Sequence, residues 1–381
     1  MFKIVLKSLS LPAFLFTCLP AFSQTYASLK TSNGNIYAGI DIGSKGVKLS
    51  VIEMGKNAAV TGSFTAIKDT SVNTDFISFT PESFNATLKG LTGLYNTALN
   101  DYHIPASRIF TVVSSGIGGQ AQKENKTGRI QVLADSFRIL IQEPQRKVPV
   151  IDVIEEARLS HLGIVPEARR YNTFLIDIGS GNTKGGYFRN GNTKDIKLFS
   201  LSWGTKTIAN ITEKRTDDDK SIANYNKQLQ RVMAGDPERE IVYAVNESDA
   251  YNMNDNFAFS GGIAWSVATL LYPELIDNSV VPLNFDDLMK FNDRLANDYN
   301  SLLPENITRR LTDNTLNKTA IETEVRKVHK VFDQKSLLAG TGLLLKIVRQ
   351  FEGTMEQKHF FLVKNGQVGW ISAYVNQSIN N

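Results

Sequence analysis

One short pattern occurs twice in this chain. The first copy reads Gly39-Ile40-Asp41-Ile42-Gly43-Ser44-Lys45-Gly46-Val47-Lys48, and the second reads Leu175-Ile176-Asp177-Ile178-Gly179-Ser180-Gly181-Asn182-Thr183-Lys184. Each follows an apolar, strand-like run. Each places an acid two residues before a glycine turn, with a lysine at the same offset beyond it. One such turn would say little, because hairpins often contain Asp and Gly. Two copies predict a duplicated domain with a phosphate clamp between its halves. A glycine turn presents backbone N–H groups to an anion, while an aspartate holds or orients a divalent metal.

The first residues belong to a different problem. Lys3 and Lys7 precede an apolar stretch from Leu9 to Phe22 that is too short to span a bilayer, and Ala21-Phe22-Ser23 has the small-x-small form of a cleavage site. Residues 1–23 are therefore read as a secretory signal peptide, and a periplasmic or extracellular location is expected. A lipoprotein anchored through Cys18 ranks lower, because Thr17 is a poor residue before a lipidated cysteine. Cys18 is the single cysteine, so a mature chain has neither disulfides nor thiol chemistry. Loss of Lys3 and Lys7 lowers the formal charge from +4 to +2. That mild charge, without a Lys/Arg cluster, argues against a nucleic-acid partner. No segment after the leader is apolar and long enough to cross a membrane as a helix. A homodimer is compatible with the sequence.

About 360 residues remain, which favours two domains over one. The expected organisation is a linker over 24–35, a first domain over 36–167 and a second over 168–381. In the first, strands are expected at 36–42, 47–53 and 58–67. A helix follows over 81–101, opened by Thr80 as cap and Pro81 at the first helical position. Next come an apolar run at 108–114, a flexible glycine stretch at 115–119, a helix over 127–142, a strand at 148–154 and a helix over 155–162. In the second, the hairpin recurs at 173–178 and 184–188. Helices are expected at 218–234, 263–271, 285–300, 317–331 and 335–351. A strand covers 256–262, and a closing hairpin joins 359–364 to 367–375 through Asn365-Gly366. Mixed strands and helices in a repeated plan indicate an α/β architecture.

Four segments carry candidate chemistry. Asp41 and Asp177 end equivalent strands, so a cleft between the halves brings two carboxylates face to face, a set suited to Mg²⁺ that already bridges phosphate oxygens. Gly43, Ser44 and Lys45 in one turn, with Gly179, Ser180, Gly181, Asn182 and Thr183 in the other, are placed to grip those oxygens. Glu155-Glu156-Ala157-Arg158-Leu159 supplies a carboxylate to deprotonate a water, with Arg158 to balance charge or hold the glutamate. Ser260-Gly261-Gly262 ends a strand before a helix, where glycine permits close approach and the helix start favours an anion. His103, His161, His329 and His359 show no metal-ligand spacing. Neither a Walker-type loop nor a Gly-x-Ser-x-Gly elbow occurs.

These segments, in this order, resemble the exopolyphosphatase/guanosine pentaphosphate phosphatase family of the actin–Hsp70–sugar kinase superfamily. Asp41-Ile42-Gly43-Ser44-Lys45-Gly46 stands where the family has an Asp-x-Gly-Ser-Asn-Ser turn. Glu155 to Leu159 matches its Glu-Glu-Ala-Arg-Leu segment, and Asp177 to Thr183 its Asp-x-Gly-Gly-Gly-Ser-Thr turn. Ser260-Gly261-Gly262 and Asn365-Gly366-Gln367-Val368-Gly369 match later glycine turns. The loop from Ser114 to Gln120 lacks the arginine that the resemblance would put there. The resemblance implies duplicated actin-like (ribonuclease H-like) domains with a ligand cleft between them. It also implies Mg²⁺-assisted release of terminal phosphate from polyphosphate or a nucleoside polyphosphate, with Glu156 as base. Two further readings stay open. One is a non-catalytic phosphate- or nucleotide-binding protein of the same fold, and the other is an apyrase-like nucleotidase.

Overall fold

The duplication is a duplication of sheets. β1 (Ile36–Ile42), β2 (Gly46–Met54) and β3 (Phe64–Asn73) form an antiparallel meander. β4 (Ile109–Val113) lies parallel to β1, giving the order β3-β2-β1-β4. β5 (Thr173–Ile178), β6 (Thr183–Phe188), β7 (Ile196–Leu201) and β8 (Asn256–Ser260) repeat that plan as β7-β6-β5-β8. β9 (Val280–Leu283) and β10 (His359–Val363) then extend the second sheet beyond β8. The register is repeated as well: Asp41 lies opposite Lys48, and Asp177 opposite Lys184. This computed structural model describes residues 35–55, 64–189, 191–249, 255–352, 358–364, 366 and 369–380. The expected signal peptide at 1–23 lies outside them.

In the first half, α1 (Pro81–Asn96) is set by its start. Thr80 accepts from the Ser83 N–H at 3.1 Å, Ser83 bonds back to the Thr80 N–H, and Pro81 fills the first position. α2 (Ser115–Lys123), α3 (Thr127–Leu140) and α4 (Val153–Ile164) follow. Phe76, Leu91, Tyr95, Ile130 and Phe137 pack with Ile40, Ile42 and Val113 into one core.

In the second half, all six residues of β5 are buried, as expected of a central strand covered on both faces, with the apolar run Phe174-Leu175-Ile176 at its middle. The face carrying Phe174, Ile176 and Ile178 packs into a core with helices drawn from α5 (Thr205–Lys214), α6 (Ile222–Met233), α7 (Asp236–Glu247), α8 (Gly262–Leu271), α9 (Phe285–Asn297), α10 (Pro304–Arg310), α11 (Lys318–Val331) and α12 (Gln334–Phe351), while Leu175 on the other face packs with Ile164 and Val165 at the end of α4. In α12, Leu337, Leu338, Leu343, Leu344, Ile347, Val348 and Phe351 are all buried, each worth roughly 1.5–3 kcal/mol of apolar transfer.

The last helix, α13 (Gly369–Asn380), returns to the first half. Trp370, Ile371, Ala373 and Val375 pack with Ile52, Met54, Val112, Ile151 and Leu159 against the first sheet and α4. The approach is close: a Cβ on Gly163 would stand 1.9 Å from the Gly369 carbonyl oxygen. This helix corrects the expected strand at 367–375 over 369–375, and 367–368 lie outside the described residues. The helical spacing of its apolar residues buries them against α4, which outweighs the strand preference of its aromatic and β-branched residues. Asn365, the first half of the expected turn, lies outside the described residues.

Other expectations need correction. The glycine stretch at 115–119 is helical, within α2. Residues 148–154 form no strand; Val150 bridges Val113, and Asp152 caps α4 by accepting from the Glu155 N–H at 2.8 Å. The third strand covers Phe64–Asn73, continuing past the expected end at 67, and 58–63 lie outside the described residues. β7, β9, α5, α7 and α10 were not anticipated.

Candidate active site

The two turns meet. The β1–β2 turn closes with the Gly43 N–H donating to the Gly46 carbonyl at 2.9 Å, and the β5–β6 turn with the Gly179 N–H donating to the Asn182 carbonyl at 3.0 Å. Ser44 of the first packs on Gly181 of the second, so closely that a Cβ on Gly181 would stand 2.2 Å from the Ser44 Oγ. The start of α2 fits between them. A Cβ on Gly116 would be 2.9 Å from the Asn182 Oδ1, and the Asn182 amide donates to the Ser115 Oγ at 3.0 Å. Glycine at 116 is needed here for proximity.

The N–H groups of Ser44, Lys45, Ser180, Gly181 and Asn182 have no backbone acceptor among the described residues. The turn carbonyls are used differently. Those of Gly179 and Ser180 accept from the Thr205 and Lys206 N–H groups at the start of α5, at 3.0 and 2.8 Å. The second turn is thus fixed through its acceptors while donors remain for an anion.

Three carboxylates converge on this junction. Glu156, on α4, is 1 % exposed, Asp177 is 6 % exposed, and Lys184 beside them is 4 % exposed, so the cluster is closed to solvent. Lys184 Nζ lies 2.9 Å from Glu156 Oε1 and 2.9 Å from Asp177 Oδ2. The remaining oxygens are also taken. Ser115 N–H donates to Glu156 Oε2 at 2.7 Å, and Ser260 Oγ–H donates to Asp177 Oδ1 at 2.7 Å. Asp41 differs: its Oδ1 is buried and has no hydrogen-bond partner. Burial, reinforced by the negative charge of Glu156, pushes the Asp41 carboxyl up to about 7, against the lowering influence of Lys48 and Lys184. Burial alone would lower Lys184, but the Asp177 and Glu156 carboxylates outweigh it, and its ammonium is held well above the ordinary lysine value.

The structure gathers Asp41, Ser44, Glu156, Asp177, Gly179, Gly181 and Asn182 at one junction. Gly261 joins them: with φ +94° it takes a conformation that favours glycine, and a Cβ there would be 3.2 Å from the Asp177 Oδ1. Gly262 packs against Phe332, and Thr183 Oγ1–H donates to the Trp203 carbonyl at 2.8 Å, so these two support the turns. Lys45 and Arg158 point elsewhere. Lys45 Nζ donates to the Val331 carbonyl and lies 4.0 Å from the centre of the Phe332 ring; burial lowers it to about 8. Arg158 pairs with Glu155 at 2.6 Å and bonds Gln377 of α13, and so neither balances charge at Glu156 nor holds it.

The expected Mg²⁺ between Asp41 and Asp177 does not fit this donor set. Mg²⁺ needs oxygens at about 2.0–2.1 Å in octahedral array. Both oxygens of Asp177 and both of Glu156 already accept hydrogen bonds, and an ammonium stands between the two groups. Among the described residues, no group of three or more His, Cys, Asp or Glu side chains has the arrangement of a metal site. Lys184 is the residue that motif reading passed over. Its signal was present in the lysine repeated at one offset beyond each acid, which the hairpin register turns into a direct cross-strand pair.

No protein-family model and no curated protein sequence matches the chain. Solved structures do. A Ppx/GppA phosphatase from Aquifex aeolicus (type II variant) is similar at 16 % identity and TM-score 0.54, covering 89 % of this chain and 98 % of that one. An exopolyphosphatase-like protein is similar at 14 % identity and TM-score 0.61, covering 90 % and 98 %. An exopolyphosphatase from Cytophaga hutchinsonii is similar at 15 % identity and TM-score 0.54, again covering 90 % and 98 %. The chain therefore has the fold of the Ppx/GppA phosphatase structures, a duplicated α/β plan.

Proposed function

We propose that this protein is a phosphoanhydride hydrolase that releases terminal phosphate from polyphosphate or a nucleoside polyphosphate. One observation carries this reading: a buried glutamate, Glu156, accepts from the N–H of Ser115 at the start of α2, where two glycine turns with N–H groups lacking a backbone acceptor come together. Those donors suit phosphate oxygens, and the fold shared with Ppx/GppA phosphatase structures supports the same chemistry.

In this reading Glu156 takes a proton from a water molecule. The water oxygen forms a bond to the terminal phosphorus while the bond to the bridging oxygen breaks. The electron pair leaves with the shortened chain. Turn N–H groups offset charge on the transferring phosphoryl group, and general-base help of this kind contributes about 10²–10⁴ in rate. Mg²⁺ is given no step, because the carboxylates do not fit it. Entry of a substrate requires the halves to part, since the cluster is closed to solvent. Export directed by residues 1–23 belongs to the same proposal and makes polyphosphate or released nucleotides the available substrates.

A second reading is binding of phosphate or nucleotide without turnover. The contacts of Glu156 favour it, because both of its oxygens already accept, one from Lys184 and one from Ser115, and neither is left for a water. A screen of phosphate release across polyphosphates and nucleotides, run beside thermal-shift titrations, separates the readings. Product from a phosphoanhydride supports hydrolysis. Stabilisation without product supports binding alone, nucleotide hydrolysis with polyphosphate untouched supports an apyrase-like activity, and neither stabilisation nor product contradicts all three.

A further inference from the structure

We propose that Lys184 is the resident cation of this site, standing between Asp177 and Glu156 where a divalent metal would need to sit, and contacting a bound phosphate oxygen itself. The proposal rests on the phosphate-handling reading above and deepens it.

The geometry points this way on three counts. First, four carboxylate oxygens are spoken for: Asp177 by Ser260 and Lys184, Glu156 by Ser115 and Lys184. A metal would have to displace an ammonium that both groups already hold at 2.9 Å. Second, the ammonium lies directly against the phosphate turn. Lys184 Nζ is 3.3 Å from the place a Cβ on Gly179 would take, so glycine at that position leaves room for it. An ammonium has three N–H donors. Two meet the carboxylates, which leaves a third, among the described residues, for a phosphate oxygen.

Third, the fold does not demand this use of the lysine. Its twin, Lys48, occupies the same register position opposite Asp41, yet pairs with Asp69 of β3 at 3.3 Å. The duplicated position therefore takes different acidic partners in the two halves, and in the second it falls where Glu156 and the two turns converge. An inward lysine balances the buried acids when the site is empty and offers positive charge when a phosphate arrives.

The test uses the full chain. Mn²⁺ is titrated into wild type and followed by electron paramagnetic resonance without phosphate present. No stoichiometric site is expected in wild type, and one is expected in Lys184→Glu, which exchanges the cation for a ligand. A wild-type Mn²⁺ site that is lost in Asp177→Asn would overturn the proposal whatever phosphate does. This arm needs only wild type, so misfolding of Lys184→Glu leaves it intact. In parallel, polyphosphate binding is measured by calorimetry in EDTA and in Mg²⁺. Equal affinities support the proposal, as does a loss of about tenfold or more in Lys184→Gln, the scale of one charge-assisted bond. Binding that appears only with Mg²⁺ overturns it while upholding the phosphate reading. No binding under either condition, with wild type also free of Mn²⁺, overturns the phosphate reading and the role of Lys184 in it.

Discussion

Lys184 and Glu156 face each other across the two halves of the protein, with Nζ 2.9 Å from Oε1 and both side chains almost wholly buried. The same ammonium holds Asp177 in its own half. Removing it leaves two buried carboxylates without their counter-charge. Lys184→Met keeps most of the stem and should cost about 3–5 kcal/mol, the usual scale for breaking a buried pair from one side. Chemical denaturation at neutral pH checks this. A change below about 1 kcal/mol would mean that the cluster is wetter or looser than described.

Asp41 should make stability fall as pH rises. Its carboxyl is raised to about 7 from the ordinary 3.8, so between those values the folded chain holds a proton that the unfolded chain has released. Stability from this group is present below about 4 and is lost as pH climbs towards 7. Asp41→Asn should remove that slope, with an effect on the order of a few kcal/mol at pH 8. Melting curves from pH 5 to 8 for both proteins test it, and parallel curves would refute the assignment to Asp41.

Lys45 works in the opposite direction and at higher pH. It is lowered to about 8 from 10.5, so between these values the unfolded chain binds the extra proton and stability rises with pH. Lys45→Met retains the contact with Phe332 and should lose that rise. Denaturant midpoints from pH 7.5 to 10 read the difference. An unchanged slope would place the titrating group elsewhere.

Gly163 tests the docking of the C-terminal helix. A Cβ there would collide with backbone at Gly369, which cannot rotate away as a side chain can. Gly163→Ala should therefore cost about 1–3 kcal/mol by overpacking, and it should loosen the contact of α4, the helix that carries Glu156, with α13. A neutral substitution would show that the two helices are farther apart than described.

Much of this molecule was legible from local signals. The paired Asp-Gly turns predicted two sheets with one plan, because a glycine turn between apolar runs specifies a hairpin and its register. Thr80 and Pro81 marked the start of α1 by capping chemistry alone. The failures have a common cause in tertiary contact. Gly116, Gly118 and Gly119 read as a flexible loop, but they lie in a helix whose close approach to Asn182 requires a missing side chain at Gly116. The 369–380 segment has strand-like composition, and only the surface of α4 makes it a helix. Arg158 follows Glu156 closely in sequence, yet its partners are Glu155 and a glutamine from α13. Lys184 was visible as a repeated letter, but only the register opposite Asp177 and the nearness of Glu156 give it a role.

The central claim is that Glu156 at the meeting of the two turns promotes hydrolysis of a phosphoanhydride. Orthophosphate release from polyphosphate and from nucleoside triphosphates by wild type and Glu156→Gln tests it most directly, with both proteins shown to unfold cooperatively. Many turnovers are expected for wild type, with a fall of about 10²–10⁴ in Glu156→Gln on the substrate that wild type cleaves. Equal release by the two proteins would contradict it.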